Sequence, residues 1–204
     1  HPPLLPPGRP PGPTRHMMGD EARRLLEAAG VPVPRWEVVS VDGAGEAADR
    51  LGYPVVVKAA GLTHKTEADA VALDLNDAGA VDEVARRIAG ASAAETVIVE
   101  RQVGDAVVEL LVSVRREDPV GWLLTIGAGG TLVEILEDTC SLLLPVAAED
   151  VRSALQGLSV WPLLAGYRGR PGADVEAVVA AVLGVAQMAV APDGLVEVEC
   201  NPLI

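Results

Sequence analysis

Five consecutive segments between Glu95 and Val146 read as β-strands: "ETVIVERQV", "AVVELLVSVRRE", "VGWLLTIGAGG", "TLVEILED" and "CSLLLPV". Each is rich in Val, Leu or Ile and is bounded by glycine, proline or charge. A chain with such a middle must build a sheet there, and the run predicts a mixed sheet. Before it, helices and strands alternate. "DEARRLLEAAG" reads as a helix stopped at Gly30, "WEVVSV" as a strand, and Gly45 to Leu51 as a helix. "YPVVVKA" and "AVALDL" read as strands, with "AGAVDEVARRIAGA" an amphipathic helix after them. Beyond the run, "AAEDVRSALQG" and "ADVEAVVAAVLGVAQMAV" are helices and "GLVEVECNPLI" is a last strand. There are no internal repeats. The 204 residues, 50% hydrophobic, are enough for one sizeable core or two small subdomains. The expected class is α+β, of the α/β type, in two lobes.

Several classes are set aside at this stage. Residues 1–17, "HPPLLPPGRPPGPTRHM", are too rich in proline and glycine to order themselves. They are expected to be a disordered linker or an expression remnant. The formal net charge of −13 disfavours a general nucleic-acid binder, which needs a basic face. It does not exclude a nucleotide, which needs a few local cations and N–H groups. Cys140 and Cys200 make neither a disulfide framework nor a zinc site. They read as buried thiols of a cytoplasmic protein. No apolar run reaches the ~18 to 20 residues of a membrane span, and no signal peptide is visible.

Four features carry possible chemistry. Lys58 ends a strand that is apolar on both faces, so it either snorkels to solvent or meets an anion. It leads to "THKTE", which holds His64, the one histidine in the body of the chain. "IGAGG" follows an apolar strand, and its glycines allow backbone N–H groups to approach an anion. It is neither a P-loop nor a dinucleotide fingerprint, and a plain tight hairpin is the alternative. "VEVECNP" places Glu197, Glu199 and Asn201 on one strand face, with Val196, Val198 and Cys200 on the other. Three oxygen donors on one face suit a hard divalent cation; a solvated face is the alternative.

Together with "LLEAAGVPVP", "LGYPVVVKA", "VELLVSV", "IGAGGTLVEILED" and "LLAGYRGRP", these segments resemble the ATP-grasp domain of NDP-forming (ADP-forming) acyl-CoA synthetases. The resemblance runs from about Glu21 to Ile204. It implies the ATP-grasp fold, with residues 18–204 as the domain, about 18–99 and 100–204 as its lobes, and the nucleotide between them. It implies ATP (or ADP) and Mg2+ as cofactors. Lys58 would reach the phosphates, and Glu100, Arg101 and Val103 would belong to the hinge that binds adenine. Glu109 would lie near ribose or metal, and Gly127, Gly129 and Gly130 would cover the triphosphate. Glu197, Glu199 and Asn201 would hold Mg2+. Arg168 would contact phosphate or orient the metal carboxylates, a structural ion pair being its other reading. His64 would carry a phosphoryl group from the nucleotide to the ligase core, with Lys58 and Arg168 in the catalytic set.

The sequence departs from that family's pattern. After His64 it has Glu67 in place of an aspartate and Asp69-Ala70 in place of a glycine pair. Leu142 stands where an arginine is usual. CoA-binding and ligase domains would have to come from the same or a partner chain. Two functions follow. One is the ATP-grasp part of an acid–thiol ligase. The other is a non-catalytic nucleotide-sensing or scaffold domain fused to a protein acetyltransferase.

Overall fold

The computed structural model describes residues 16–17, 19–60, 71–92, 94–130, 137–190 and 195–204. The contacts divide the chain into two units, one of residues 15–27 and 33–104, the other including 28–32 and 105–204.

The first unit is built on a sheet of β1 (Trp36–Ser40), β2 (Val55–Ala59), β3 (Val71–Leu75) and β4 (Thr96–Arg101), in the order β1-β4-β2-β3. Every pairing is antiparallel. Strand alternation puts Val55, Val57, Ala59, Val97 and Val99 on one face, all fully buried. Against them pack α2 (Ala44–Leu51) and α3 (Ala78–Ser92). Ala44, Ala47, Ala48 and Leu51 recur at helical spacing on α2, as Val81, Ala85 and Ile88 do on α3, which gives each an apolar stripe. The two helices touch closely at Gly45, whose N–H donates to Asp82 Oδ1 at 2.8 Å. A Cβ at Gly45 would collide with that carboxylate. The opposite sheet face carries Trp36, Val56, Lys58, Ile98 and Glu100. α1 (Gly19–Ala28) belongs to this unit up to Glu27.

The second unit holds the sheet β7-β6-β5-β8, from β5 (Leu110–Glu117), β6 (Gly121–Ala128), β7 (Thr139–Leu143) and β8 (Glu197–Leu203). It too is wholly antiparallel, so the mixed sheet expected from the run of strands is not formed. For β5 and β6 the connection explains this: they are joined by a tight reversal at Asp118 and Pro119, which only an antiparallel pair permits. Val112, Val114, Leu124 and Ile126 make its buried face. That face is packed by α4 (Ala148–Gly157) and α6 (Val175–Gln187). Asp174 starts α6 by accepting from the Ala177 N–H at 3.0 Å. The sequence reading missed α5 (Trp161–Ala165), a five-residue helix with Pro162 in its first turn. The expected strand "TLVEILED" falls mostly outside the described residues. No helix among the described residues is long and apolar enough to cross a membrane.

Candidate functional site

Each unit carries its own cluster of predicted residues. In the first, Lys58 stands on β2 opposite Ile98, and Glu100 stands two residues further along β4 on the same face. Lys58 Nζ donates to both carboxylate oxygens of Glu100, at 3.1 Å each. Arg23, from α1, donates to Oε2 of the same carboxylate. Glu100 is the one charged residue among the described residues that is buried as a whole. Its two cations make that burial tolerable, because a carboxylate out of water must be paired. Glu100 was expected in the hinge whose backbone binds adenine; its two carboxylate oxygens are engaged by Lys58 and Arg23.

The backbone after Glu100 is tied down in a particular way. The Arg101 N–H donates to Arg35 O at 2.8 Å, and the Gln102 N–H to Pro54 O at 3.0 Å. The reciprocal bond from residue 54 cannot form, because proline has no N–H. The Gln102 carbonyl is therefore left without its ladder donor. The Gln102 side chain clasps Asp74, accepting from its N–H and donating to its carboxylate, at 2.7 Å each. Arg101 spends its guanidinium on Pro54 O at 3.1 Å. Val103 follows, exposed. His64, with Glu67, Asp69 and Ala70, lies outside the described residues.

In the second unit the polar face of the sheet is ordered in rungs. Ser141, Thr125, Ser113 and Glu199 are successive partners across β7, β6, β5 and β8. The Thr125 and Ser141 hydroxyls are 3.1 Å apart. Glu197, Glu199 and Asn201 alternate outward along β8, all exposed, as their spacing predicted. Arg115, opposite Glu197, pairs with Glu117 on its own strand instead.

At the end of β6 the glycine segment meets this face. The Gly129 N–H donates to Glu109 O at 2.7 Å, and the Gly130 N–H to Asn201 Oδ1 at 3.0 Å. Gly130 has φ +67°, and the Glu109 carboxylate occupies the place a Cβ would take. Gly129 lies so close to the Leu110 backbone that a Cβ would sit 2.5 Å from its carbonyl carbon. The structure thus brings Glu109, Gly129, Gly130 and Asn201 together. Gly127 is buried against Asp138 and Thr139.

The donor set fits Mg2+ with one adjustment. Among the described residues no group of three or more His, Cys, Asp or Glu is gathered for a metal. Side chains at i and i+4 of a strand stand ~13 Å apart at their Cα atoms, so Glu197 and Asn201 cannot share one ion. Glu199 and Asn201, about half that distance apart, can. Their oxygens suit a hard cation that keeps waters and phosphate as its other ligands. Asn201 Oδ1 retains a lone pair after accepting from Gly130.

Arg168 lies in the exposed segment after α5, in the left-handed region at φ +50°, between Gly166 and Gly169. Its guanidinium stacks 5.2 Å from the Tyr167 ring. No salt bridge joins it to another described residue. Nor does a hydrogen bond link it to Glu197, Glu199 or Asn201 among the described residues. Leu142 pairs with fully buried Leu124, so its side chain turns to the packed side of the sheet, away from Glu199.

Sequence reasoning missed Arg23 and Trp36. An arginine on an amphipathic helix reads as a solvated residue, and nothing in its local pattern marked it. Asp138 was also missed: it accepts from the N–H groups of Ser159 and Val160 at 2.9 and 3.2 Å, anchoring the end of the hairpin segment to the turn before α5.

The sequence pattern of an ATP-grasp domain matches residues 12–204. The beta subunit of the ADP-forming acetate–CoA ligase II of Pyrococcus furiosus is 29% identical over 198 residues, covering 92% of this chain and 84% of that subunit. The ADP-forming acetate–CoA ligase II of Archaeoglobus fulgidus is 31% identical over 190 residues. That match covers 92% of this chain but 28% of the Archaeoglobus protein, so the chain spans under a third of that relative. Among solved structures, an acetyl-coenzyme A synthetase of Ca. Korarchaeum cryptofilum in complex with coenzyme A and Ca-AMPCP has a TM-score of 0.84 at 25% identity, covering 92% of this chain and 86% of that chain. A second structure of that synthetase, with coenzyme A and Mg-AMPPCP, is described as having its phosphohistidine segment pointing towards the nucleotide binding site. Its TM-score is 0.79 at 25% identity, covering 91% of this chain and 84% of that chain.

Proposed function

This chain belongs to the ATP-grasp domain family, and from that membership we propose that it is the nucleotide-binding domain of an ADP-forming acyl-CoA synthetase, an acid–thiol ligase. It takes Mg-ATP and passes the γ-phosphoryl group through His64 to a partner domain. The observation that carries the reading is the bond from the Gly130 N–H to Asn201 Oδ1. It ties the glycine-lined end of β6, where the missing side chains leave space for phosphate, to the strand face that presents Glu199, suited to the cation that travels with phosphate.

The residues divide the work as follows. Lys58 meets phosphate oxygens as a mobile point charge. The N–H groups of Ala128, Gly129 and Gly130 are spent on Asp138 O, Glu109 O and Asn201 Oδ1, so the glycines here serve the phosphates by keeping side chains out of their way rather than by donating to them. The Gln102 carbonyl, left without a ladder donor by Pro54, and the Val103 N–H after it are the hinge groups for the adenine edge. Glu199 and Asn201 would hold Mg2+, which supplies charge neutralisation on the phosphates when bound. The unprotonated imidazole nitrogen of His64 attacks the γ-phosphorus in line. An N–P bond forms, the bond from phosphorus to the β–γ bridging oxygen breaks, and ADP leaves with that electron pair. The second ring nitrogen then gives up its proton. CoA-binding and ligase domains, in the same or a partner chain, supply the acid and thiol.

A second reading is a nucleotide-sensing or scaffold domain fused to a protein acetyltransferase. One observation favours it: the loop after His64 carries Glu67 and Asp69-Ala70, adding charge where phosphate must pass.

Calorimetric titration with Mg2+ and a non-hydrolysable ATP analogue tests the binding step, beside Lys58→Ala and Glu199→Ala. Micromolar binding lost in both variants is expected. Labelling with γ-32P-ATP then separates the readings. Acid-labile label lost in His64→Asn supports the ligase, and tight binding without label supports the sensor. No binding at millimolar analogue overturns the ligase and the sensor and leaves the scaffold.

A further inference from the structure

We infer that Arg23, on the first helix, is a positioning residue of the nucleotide site: by holding the Glu100 carboxylate it releases Lys58 for phosphate. The inference rests on the reading of Lys58 as a phosphate ligand.

The geometry is a chain of four side chains within one unit. Trp36 on β1 stands directly opposite Glu100 on β4, and Lys58 on β2, on the other side of β4, is the diagonal neighbour of Glu100. The Arg23 guanidinium lies 5.6 Å from the Trp36 ring centroid and bonds Glu100 Oε2. The Trp36 indole N–H donates to Glu27 Oε1, one turn further along α1, at 3.3 Å. Stacking on one side and the carboxylate on the other hold Arg23 in place. A planar guanidinium meets both demands at once; an ammonium does so less well.

Charge counting gives this arrangement its consequence. Lys58 and Arg23 together carry two positive charges against the single carboxylate of Glu100. One positive charge is therefore left over, in a chain whose formal net charge is −13. Were Lys58 the sole partner of Glu100, the pair would be neutral. Every move of Lys58 towards a phosphate would then strand a buried carboxylate, which is strongly unfavourable. With Arg23 in place, Glu100 keeps a partner when Lys58 leaves. Arg23 touches no ligand in this scheme. It sets how tightly Glu100 retains Lys58.

The test compares wild type, Arg23→Met, Arg23→Lys, Glu100→Gln and the double variant Arg23→Met/Glu100→Gln. Circular dichroism checks each fold, and the Kd for the Mg2+ complex of a non-hydrolysable ATP analogue is the main readout. Arg23→Met is expected to weaken binding about tenfold or more, Arg23→Lys to lose about threefold or less, and the double variant to recover to within about threefold of wild type. A purely structural strut between α1 and the sheet is not repaired by removing its other end. Unchanged affinity in Arg23→Met overturns the inference. So does a double variant as weak as Arg23→Met.

A second readout needs no nucleotide. The chain has two lysines, Lys58 and Lys65, so acetic anhydride labelling followed by peptide mass spectrometry reads Lys58 against an internal standard. Arg23→Met is expected to slow Lys58 acylation and Glu100→Gln to speed it. If wild type binds no nucleotide, the proposed function fails and this ratio alone decides the role of Arg23. A ratio unmoved by Arg23→Met then overturns the role.

Discussion

The backbone N–H of Gly130 and the Oδ1 atom of Asn201 are 3.0 Å apart, across 71 residues of sequence. The bond fixes which end of the Asn201 amide is the oxygen and holds that oxygen beside Glu199's face of β8. It also sets the hairpin against the strand that carries the candidate metal ligands.

The first prediction follows from the space around Gly130. Its φ of +67° strains any side chain placed there, and the Glu109 carboxylate would have to move aside for it. Gly130→Ala is expected to cost about 1–3 kcal/mol in urea denaturation, the range for a non-glycine residue forced into such backbone. A methyl group at position 104 would meet nothing within 4 Å, so Gly104→Ala is the control, expected within about 0.5 kcal/mol of wild type. Equal effects would show that crowding at Gly130 is not what matters.

The second concerns the asymmetry of the Arg23–Glu100–Lys58 group. Removing Glu100 leaves two cations together in a mostly buried place, while removing Lys58 leaves Glu100 with Arg23. Glu100→Met is expected to destabilise by about 3 kcal/mol. Lys58→Met is expected to cost less than half of that. Chemical denaturation of both decides, and the reverse order would contradict the pairing described.

Leu142 gives the third. It shares the packed face of the sheet with its partner Leu124, which is fully buried. Leu142→Arg is therefore expected to lower the melting temperature and leave nucleotide affinity unimproved. A tighter Kd in this variant would mean that an arginine there reaches the ligand after all.

The fourth is a pH dependence. Burial, with a smaller contribution from the Glu199 charge, pushes the Cys200 thiol up to about 11. The thiolate is the reactive form, so Cys200 alkylation is expected to climb about tenfold per pH unit from 7 to 9 without a plateau. A plateau near pH 8.5 would indicate an exposed, unperturbed thiol.

Much of this molecule was legible as local pattern. Glu197, Glu199 and Asn201 alternate with Val198 and Cys200, and the strand they form exposes the first set, as a period of two requires. Helices α2, α3, α4 and α6 fall where a period near 3.6 places them. The helix α5 was not legible, because five residues starting at Trp161 are too few to show a period. The antiparallel order of both sheets was not legible either, since pairing direction depends on connections rather than on the strands themselves.

The sequence by itself determined which residues could do chemistry: a strand-end lysine, a glycine hairpin, and oxygen donors on one strand face. These are properties of side-chain type and short-range period, and they survive whatever the rest of the chain does. The tertiary structure alone decided the partners. It set Arg23 and Lys58 on one carboxylate, Gly130 on Asn201, and Leu142 on the packed side. Those outcomes depend on strand register and helix docking, where a shift of one residue moves a side chain to the other face.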